Sequence, residues 1–331
     1  MNDSVVAVAP GRVNLIGDHT DYAGGKALPM AIDLTTTVSF TPGGELLLLR
    51  STTTGDELVL DPATEHQPGS FGAMEAGLLS ILGHRMGRLE VSSTLPIGAG
   101  LSSSASLLVA SAMALGAIER GLDLALLCQE AERRAGQDVG LLDQIAIIDG
   151  RSDHGVLIDF SNLSTTPVRI PDDVDIVIIH SGENRSLAAG AYATRRAEVA
   201  AVEALIGSIP LASPEAIAEI EDPLLARRAK HVWSETRRVG QVADSLSVDP
   251  VHAGRLMLES HRSLSEDFEV STPVIDAMVT EISAHDGVFG VRMTGGGFGG
   301  CLVALTRPGA LVGLIRTPTW TVQPTGGARI L

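Results

Sequence analysis

Pro96-Ile97-Gly98-Ala99-Gly100-Leu101-Ser102-Ser103-Ser104-Ala105-Ser106 lies between an extended run, Leu89 to Leu95, and a long apolar run of helical character, Ala105 to Ile118. Such a bend aims the backbone at the first turn of a helix, where free N–H groups and the positive end of the helix dipole converge. A phosphate chain can lie there without a lysine, and none is near: Lys26 and Lys230 are the only lysines in the chain. A Walker A loop is excluded because it ends in Gly-Lys-Ser/Thr, and a dinucleotide fingerprint because it needs glycine where Ser103 stands. The hydroxyls of Ser102, Ser103 and Ser104 can cap helix N–H groups, donate to phosphate oxygens or place one oxygen on Mg²⁺. Residue type alone leaves a second reading open, a serine-capped helix after a glycine turn.

At 331 residues the protein exceeds one ordinary core and fits about two domains. We expect these as residues 1–165 and 166–331, divided in the turn-rich stretch Ser161 to Asp173. The longest apolar runs fall short of the roughly 18 residues of a membrane span and are rich in alanine and serine, so they read as buried helices, with no membrane partner. Net charge is −16, from 24 basic and 40 acidic residues, and the lack of a long basic cluster sets nucleic acid aside. Acidity does not bar an anionic nucleotide, since loop N–H groups, one arginine and a divalent ion reverse the field locally. Met1-Asn2-Asp3-Ser4 lacks the features of a signal peptide, and Cys128 and Cys301 are the only cysteines, which points to a reduced, cytoplasmic setting. A monomer is the expected state.

N-terminal to the loop, Val5 to Val8 reads as a short strand broken by Ala9-Pro10-Gly11. The next stretch crowds Arg12, Asp18, His19 and Asp21 among Val13, Leu15 and Ile16, a costly placement unless partners are close or arrive with a ligand. It suits a hydroxyl-rich molecule; a solvated loop is the alternative. Leu28 to Leu34, Thr35 to Phe40 and Glu45 to Arg50 read as strands, and Phe71 to Leu82 as an amphipathic helix with Phe71 and Met74 in the core.

C-terminal to the loop, the helix is expected to persist until Gly121, followed by another from Leu122 to Ala135 bearing Glu130 and Glu132. Two acids there ordinarily mark a solvated face, but Mg²⁺ beside a phosphate loop needs only one or two protein oxygens. Asp143, among apolar neighbours in Gly140-Leu141-Leu142-Asp143-Gln144, is a candidate base or a helix-start acid. Strands are expected at Gly155 to Phe160 and Val174 to His180, and helices from Ser186 to Leu205, Ser213 to Leu246, Pro250 to Glu269 and Pro273 to His285. Between Thr294 and Cys301 stand five glycines in six positions, more than a tight hairpin requires, implying close backbone approach or positive φ.

Arg12 to Tyr22, Gly98 to Ser106 and Thr294 to Gly300 together resemble, in order and spacing, the three motifs of the GHMP small-molecule kinase superfamily, which includes galactokinase, homoserine, mevalonate and phosphomevalonate kinases. Gly11-Arg12-Val13-Asn14-Leu15-Ile16-Gly17-Asp18-His19-Thr20-Asp21-Tyr22 is similar to the signature of the galactokinase branch. The likeness continues through Gly140 to Gln144, Arg185 to Arg196, Glu259-Ser260-His261 and Thr272-Pro273.

The resemblance implies an α+β fold of two domains, the first ribosomal-protein-like and the second ferredoxin-like, with the active site in the cleft between them. It implies ATP-dependent phosphorylation of the anomeric hydroxyl of galactose to galactose 1-phosphate, the first committed step of galactose catabolism. On matching positions, Asp18, His19, Thr20, Asp21 and Tyr192 would contact the sugar, and Gly98, Ala99, Gly100, Leu101, Ser102, Ser103 and Ser104 would hold ATP. Ser104 and Glu132 would hold Mg²⁺, and Arg12 with Asp143 would form the catalytic pair. The chain departs from the family pattern at Asp18, which replaces a glutamate, and near Phe71, where a Trp-x-Asn-Tyr run is missing. It is also one residue short between Glu132 and Gly136, which brings in Glu130 as the alternative metal acid. A kinase for a related sugar such as arabinose, and a non-catalytic sugar and nucleotide sensor, are the rival readings.

Overall fold

Pro10 lies inside a strand rather than at its end. β1 (Val5–Ile16) runs antiparallel to β2 (Lys26–Pro42), and the ladder absorbs the proline as a register shift between Pro10 and Gly11. A proline has no N–H for the ladder, so a bulge is where a strand tolerates one. The expected break at Ala9-Pro10-Gly11 is thereby corrected, and Arg12 and Asn14 become strand residues two apart on one face. The structure, a computed structural model, describes residues 4–60, 66–96, 98–137, 139–183 and 188–331.

β2 merges the two strands expected between Leu28 and Phe40. β3 (Leu47–Ser51) and β4 (Glu57–Leu60) form a hairpin. α1 (Phe71–Leu82) has the expected bounds, and Ser70 caps it by accepting the Ala73 N–H at 3.2 Å. β5 (Gly87–Ser93) leads through the loop to α2 (Ser103–Ala114). α2 stops well before Gly121: Gly116 takes φ 89, its N–H donates to the Met113 carbonyl, and the Ala117 N–H donates to that of Ala112. That pair of bonds closes a helix wherever a glycine supplies the left-handed residue. α3 (Gly121–Arg134), α4 (Leu142–Ile148) and β6 (His154–Asp159) follow, and the stretch expected as turns holds β7 (Ser164–Arg169), paired with β6.

The second half runs β8 (Asp175–His180), α5 (Ala188–Ile206), α6 (Pro214–Ala218), α7 (Pro223–Ser245), α8 (Pro250–Glu266), α9 (Pro273–Ser283), β9 (Val288–Thr294), β10 (Cys301–Thr306), β11 (Thr319–Val322) and β12 (Arg329–Ile330). The helix start expected at Ser186 lies outside the described residues. The single run expected from Ser213 to Leu246 is two helices, because the Asp222 carboxylate caps the N–H groups of Leu224 and Leu225 and Pro223 has none to give. The same cap-then-proline device opens α6 at Ser213, α8 at Asp249 and α9 at Thr272.

The first sheet has the order β12-β1-β2-β5-β3-β4, with β6 joined to the far end of β2. β12 carries the end of the chain back onto β1, with Ala7 opposite Ile330. The second sheet, β11-β8-β10-β9, is antiparallel throughout, the order of a ferredoxin-like unit. α1, α2 and α3 cover one face of the first sheet through Leu78, Leu108, Val109 and Leu124. A second core joins the sheets: Val13 and Met30 from one and Ile178 and Val303 from the other pack with Val239 and Val242 of α7 and Leu256 of α8. The polar motifs converge beside this shared core.

Candidate active site

The loop after β5 bends at Gly98 and Gly100, with φ 76 and 74. α2 opens without a side-chain cap, which leaves its first N–H groups for a ligand or water. β1 can lie against the loop only because residue 11 is glycine: a Cβ there would sit 2.8 Å from the Leu101 carbonyl. The Arg12 N–H donates to that carbonyl at 3.2 Å, and Arg12 Nη1 donates to the Gly100 carbonyl at 2.9 Å. The glycine run is a hairpin loop joining β9 to β10, and the Cys301 thiol at its end donates to the Ala99 carbonyl at 3.0 Å. The third motif thus abuts the phosphate loop.

Asp143 stands in the first turn of α4, so the two readings of this acid coincide in position. Its Oδ1 accepts from Arg12 Nε at 2.7 Å and lies 2.6 Å from Arg12 Nη2. Its Oδ2 accepts from the Ser102 hydroxyl. Arginine, carboxylate and phosphate loop therefore form one polar knot whose members come from β1, α4 and the start of α2.

The knot forms one wall of a cavity of about 240 Å³ that Asn14, Asp18, His19, Asp21, Tyr192 and Gly295 also line. His19, buried at φ 63, packs its ring 5.3 Å from that of Tyr192 and 4.8 Å from that of Phe268. Burial, then the neighbouring His231, lower its pKa to about 3, so the ring is neutral. Asp21 approaches Gly140 so closely that a Cβ there would strike its carboxylate. Loss of water, with the negative charge of Asp143 adding to it, raises the pKa of Asp21 to about 6. Thr20 faces inward instead: fully buried, its hydroxyl bonds the carbonyls of Gly17 and Lys26, so it shapes the turn and does not line the cavity.

Asp18 is held from the other domain. It is 5% exposed; Oδ1 accepts the Gly295 N–H at 3.0 Å and Oδ2 lies 2.7 Å from Arg292 Nη2. Burial raises its pKa while Arg292 opposes the rise. Arg292, fully buried on β9, also donates to the Leu15 carbonyl at 3.1 Å and lies 3.7 Å from Glu235. Burial alone would raise the pKa of Glu235, but Arg238 and Arg292 carry it down to about 2. Glu235 accepts the Gly17 N–H at 3.0 Å, and His231 reaches the Asp18 carbonyl at 3.2 Å. Sequence reading passed over Arg292, Glu235 and His231. An arginine inside the apolar strand Val288 to Met293 was the available signal, as was the two-residue alternation from Arg12 for Asn14.

Glu132 lies buried beneath α2, where the side chains of Ser104 and Gln144 hydrogen-bond it. Burial, with the charge of Asp143 adding to it, raises its pKa to about 7. Glu130 points the other way, 2.9 Å from Arg134 and 3.0 Å from Arg133. Among the described residues no cluster of three or more His, Cys, Asp or Glu could hold a metal. A buried carboxylate beside a hydroxyl and a phosphate loop nevertheless fits Mg²⁺, which keeps phosphate and water for its other positions. On the far side of Ser103 and Ser104 is an apolar cavity of about 310 Å³ lined by Phe71, Met74, Val91, Leu95 and Leu107. Phe71 and Met74 pack in or against the core under α1, as helical spacing implies, and also line this cavity.

A lysine-free phosphate loop on one α+β domain, met by a glycine hairpin from a ferredoxin-like second domain, defines a GHMP-type small-molecule kinase. Residues 72–151 match the GHMP kinases N terminal domain and residues 247–316 the GHMP kinases C terminal domain, while residues 1–42 match the galactokinase galactose-binding signature. A galactokinase of Roseiflexus sp. (strain RS-1) is 40% identical over 327 residues, covering 92% of this chain and 83% of that protein. The crystal structure of Lactococcus lactis galactokinase complexed with galactose superposes with a TM-score of 0.89 at 29% identity, over 99% of this chain and 95% of the other. Methanococcus jannaschii mevalonate kinase shares the fold, with a TM-score of 0.72 at 20% identity over 98% and 99% of the two chains. The chain belongs to the galactokinase family.

Proposed function

We propose that this protein transfers the γ-phosphoryl group of ATP to the anomeric hydroxyl of galactose, giving galactose 1-phosphate and ADP. The observation that carries the reading is the Arg12–Asp143–Ser102 knot, which joins the hydroxyl-binding cavity to the phosphate loop. Galactose occupies the cavity lined by Asp18, His19, Asp21 and Tyr192. The triphosphate lies over residues 98–104, and its nucleoside enters the apolar cavity beside Phe71. Thr20 supports the sugar turn from behind.

Phosphoryl transfer passes through a loose transition state, so the protein's work is positioning and charge neutralisation. Asp143 orients the anomeric hydroxyl and accepts its proton as the new O–P bond forms and the bond from the γ-phosphorus to the ADP oxygen breaks. Late proton transfer lets a carboxylate serve as the base. Arg12 faces the charge that develops on the phosphoryl oxygens. Ser104 and Glu132 would hold Mg²⁺, which supplies positive charge against the triphosphate.

The division into residues 1–165 and 166–331 belongs to the same reading for the site, the sugar motif, phosphate loop and base lying in the first unit and the glycine hairpin in the second, although β7 straddles the cut and β12 returns to the first sheet. Two buried cysteines, Cys128 and Cys301, not joined in a disulfide, suit a reduced cytoplasmic compartment. Free sugars offered with ATP and Mg²⁺, scored for the sugar 1-phosphate, test the function. Galactose should give the highest kcat/KM, with arabinose and 6-deoxygalactose behind it by less than about 10⁴-fold, since both Asp18 oxygens are already engaged by the protein. Arabinose outrunning galactose would overturn the substrate, and binding without turnover would favour the sensor.

A further inference from the structure

We propose that Ser102 is a positioning residue for Asp143, tying the base to the phosphate loop so that nucleotide and sugar bind cooperatively; this rests on the galactokinase reading. Ser102 occupies the capping position before α2, yet its side chain caps nothing. Its hydroxyl donates to Oδ2 of Asp143 instead. A hydroxyl has one proton, and while that proton serves Asp143 it is withheld from a phosphate oxygen. Ser102 is 7% exposed and holds φ 59 and ψ 44, a left-handed backbone that serine adopts rarely and keeps only where the surroundings enforce it. The two oxygens of Asp143 are thus divided, Oδ1 on Arg12 and Oδ2 on Ser102, while Arg12 is itself bonded to the Gly100 carbonyl. A nucleotide that orders residues 98–104 sets both partners of the carboxylate at once and presents it to the sugar in one orientation.

The test compares the parent with Ser102→Gly, which suits the left-handed backbone and removes the whole hydroxymethyl group, and with Ser102→Ala, which removes only the hydroxyl and keeps the backbone cost. Galactose binding is measured by calorimetry with and without a non-hydrolysable ATP analogue, alongside kcat. In both variants kcat should fall about tenfold, galactose KM at saturating ATP should rise, and the tightening of galactose binding that the analogue produces in the parent should vanish. Analogue affinity alone, measured without sugar for Ser102→Gly, Asp143→Asn and the double variant, should be non-additive by about threefold or more. Additivity, with kcat of Ser102→Gly within about twofold of the parent, overturns the proposal, and so does collapse of analogue affinity in that variant, which would make Ser102 a phosphate ligand. Non-additivity in a protein that does not phosphorylate galactose would support the tie and sink the galactose reading alone.

Discussion

Glu75 on α1 is fully buried, takes one hydrogen bond on Oε1 from the Ser111 hydroxyl at 2.7 Å, and has no partner for Oε2 among the described residues. Burial, only partly opposed by Ser111, lifts its pKa from 4.5 to about 7. Because the folded pKa lies above the unfolded one, the folded protein holds this proton more tightly. The stability it confers is complete below about pH 4.5 and is lost as pH rises through about 7. At 1.36 kcal/mol per tenfold step, the loss is about 3 kcal/mol. Glu75→Gln keeps an oxygen for Ser111 and puts an amide NH₂ where the acid carries its O–H, but it does not ionise. Urea unfolding of both metal-free proteins should give near-equal stabilities at about pH 5, with the variant ahead by about 3 kcal/mol at about pH 8. Asp21 and Glu132 also titrate in this window but are common to both proteins and cancel in the difference. Parallel stability curves, or a parent that gains on the variant as pH rises, would show that Glu75 is not held protonated by burial.

Asp143→Asn should leave galactose and ATP binding within a few-fold while lowering kcat by about 10² or more, since the amide can keep the Arg12 contact and cannot take the proton; near-normal turnover would remove Asp143 from the chemistry. Ser104→Ala and Glu132→Gln should each raise the Mg²⁺ concentration for half-maximal rate, and Glu130→Gln should not, because Glu130 is engaged with Arg133 and Arg134 on the outer face. The reverse pattern would move the metal to Glu130. Phe71→Ala should raise the KM for ATP by about tenfold through loss of part of an aromatic contact, with galactose KM unchanged; an unchanged KM for ATP would place the nucleoside elsewhere.

The phosphate loop was legible because its signal is local. Two glycines, a run of serines and a following apolar helix dictate a bend with exposed N–H groups whatever the rest of the chain does. The bounds of α1 were legible for the same reason: Ser70 caps it and its apolar spacing is helical. Where two signals competed, the one that satisfied more backbone hydrogen bonds won. Pro10 looked like a strand end, but pairing of β1 with β2 on both sides of it was worth a bulge. Gly116, one residue in an apolar run, ended α2 because its left-handed conformation closed two backbone bonds.

What the sequence by itself determined is the set of candidate pieces: a glycine- and serine-rich loop without lysine, an acid-rich stretch, an isolated Asp143 and a glycine run. Only the tertiary structure decided how these atoms are shared. Asp18 and Arg292 are 274 residues apart in the chain yet form a buried pair across the two domains. Glu132 rather than Glu130 turns inward because α3 presents only one face to the core. The Ser102 hydroxyl, which residue type offered to a cap, a phosphate or a metal alike, bonds Asp143. The physical reason is common to all three. A buried polar atom must find a partner, and composition reveals that a charge will be buried without revealing which distant residue the fold delivers to it.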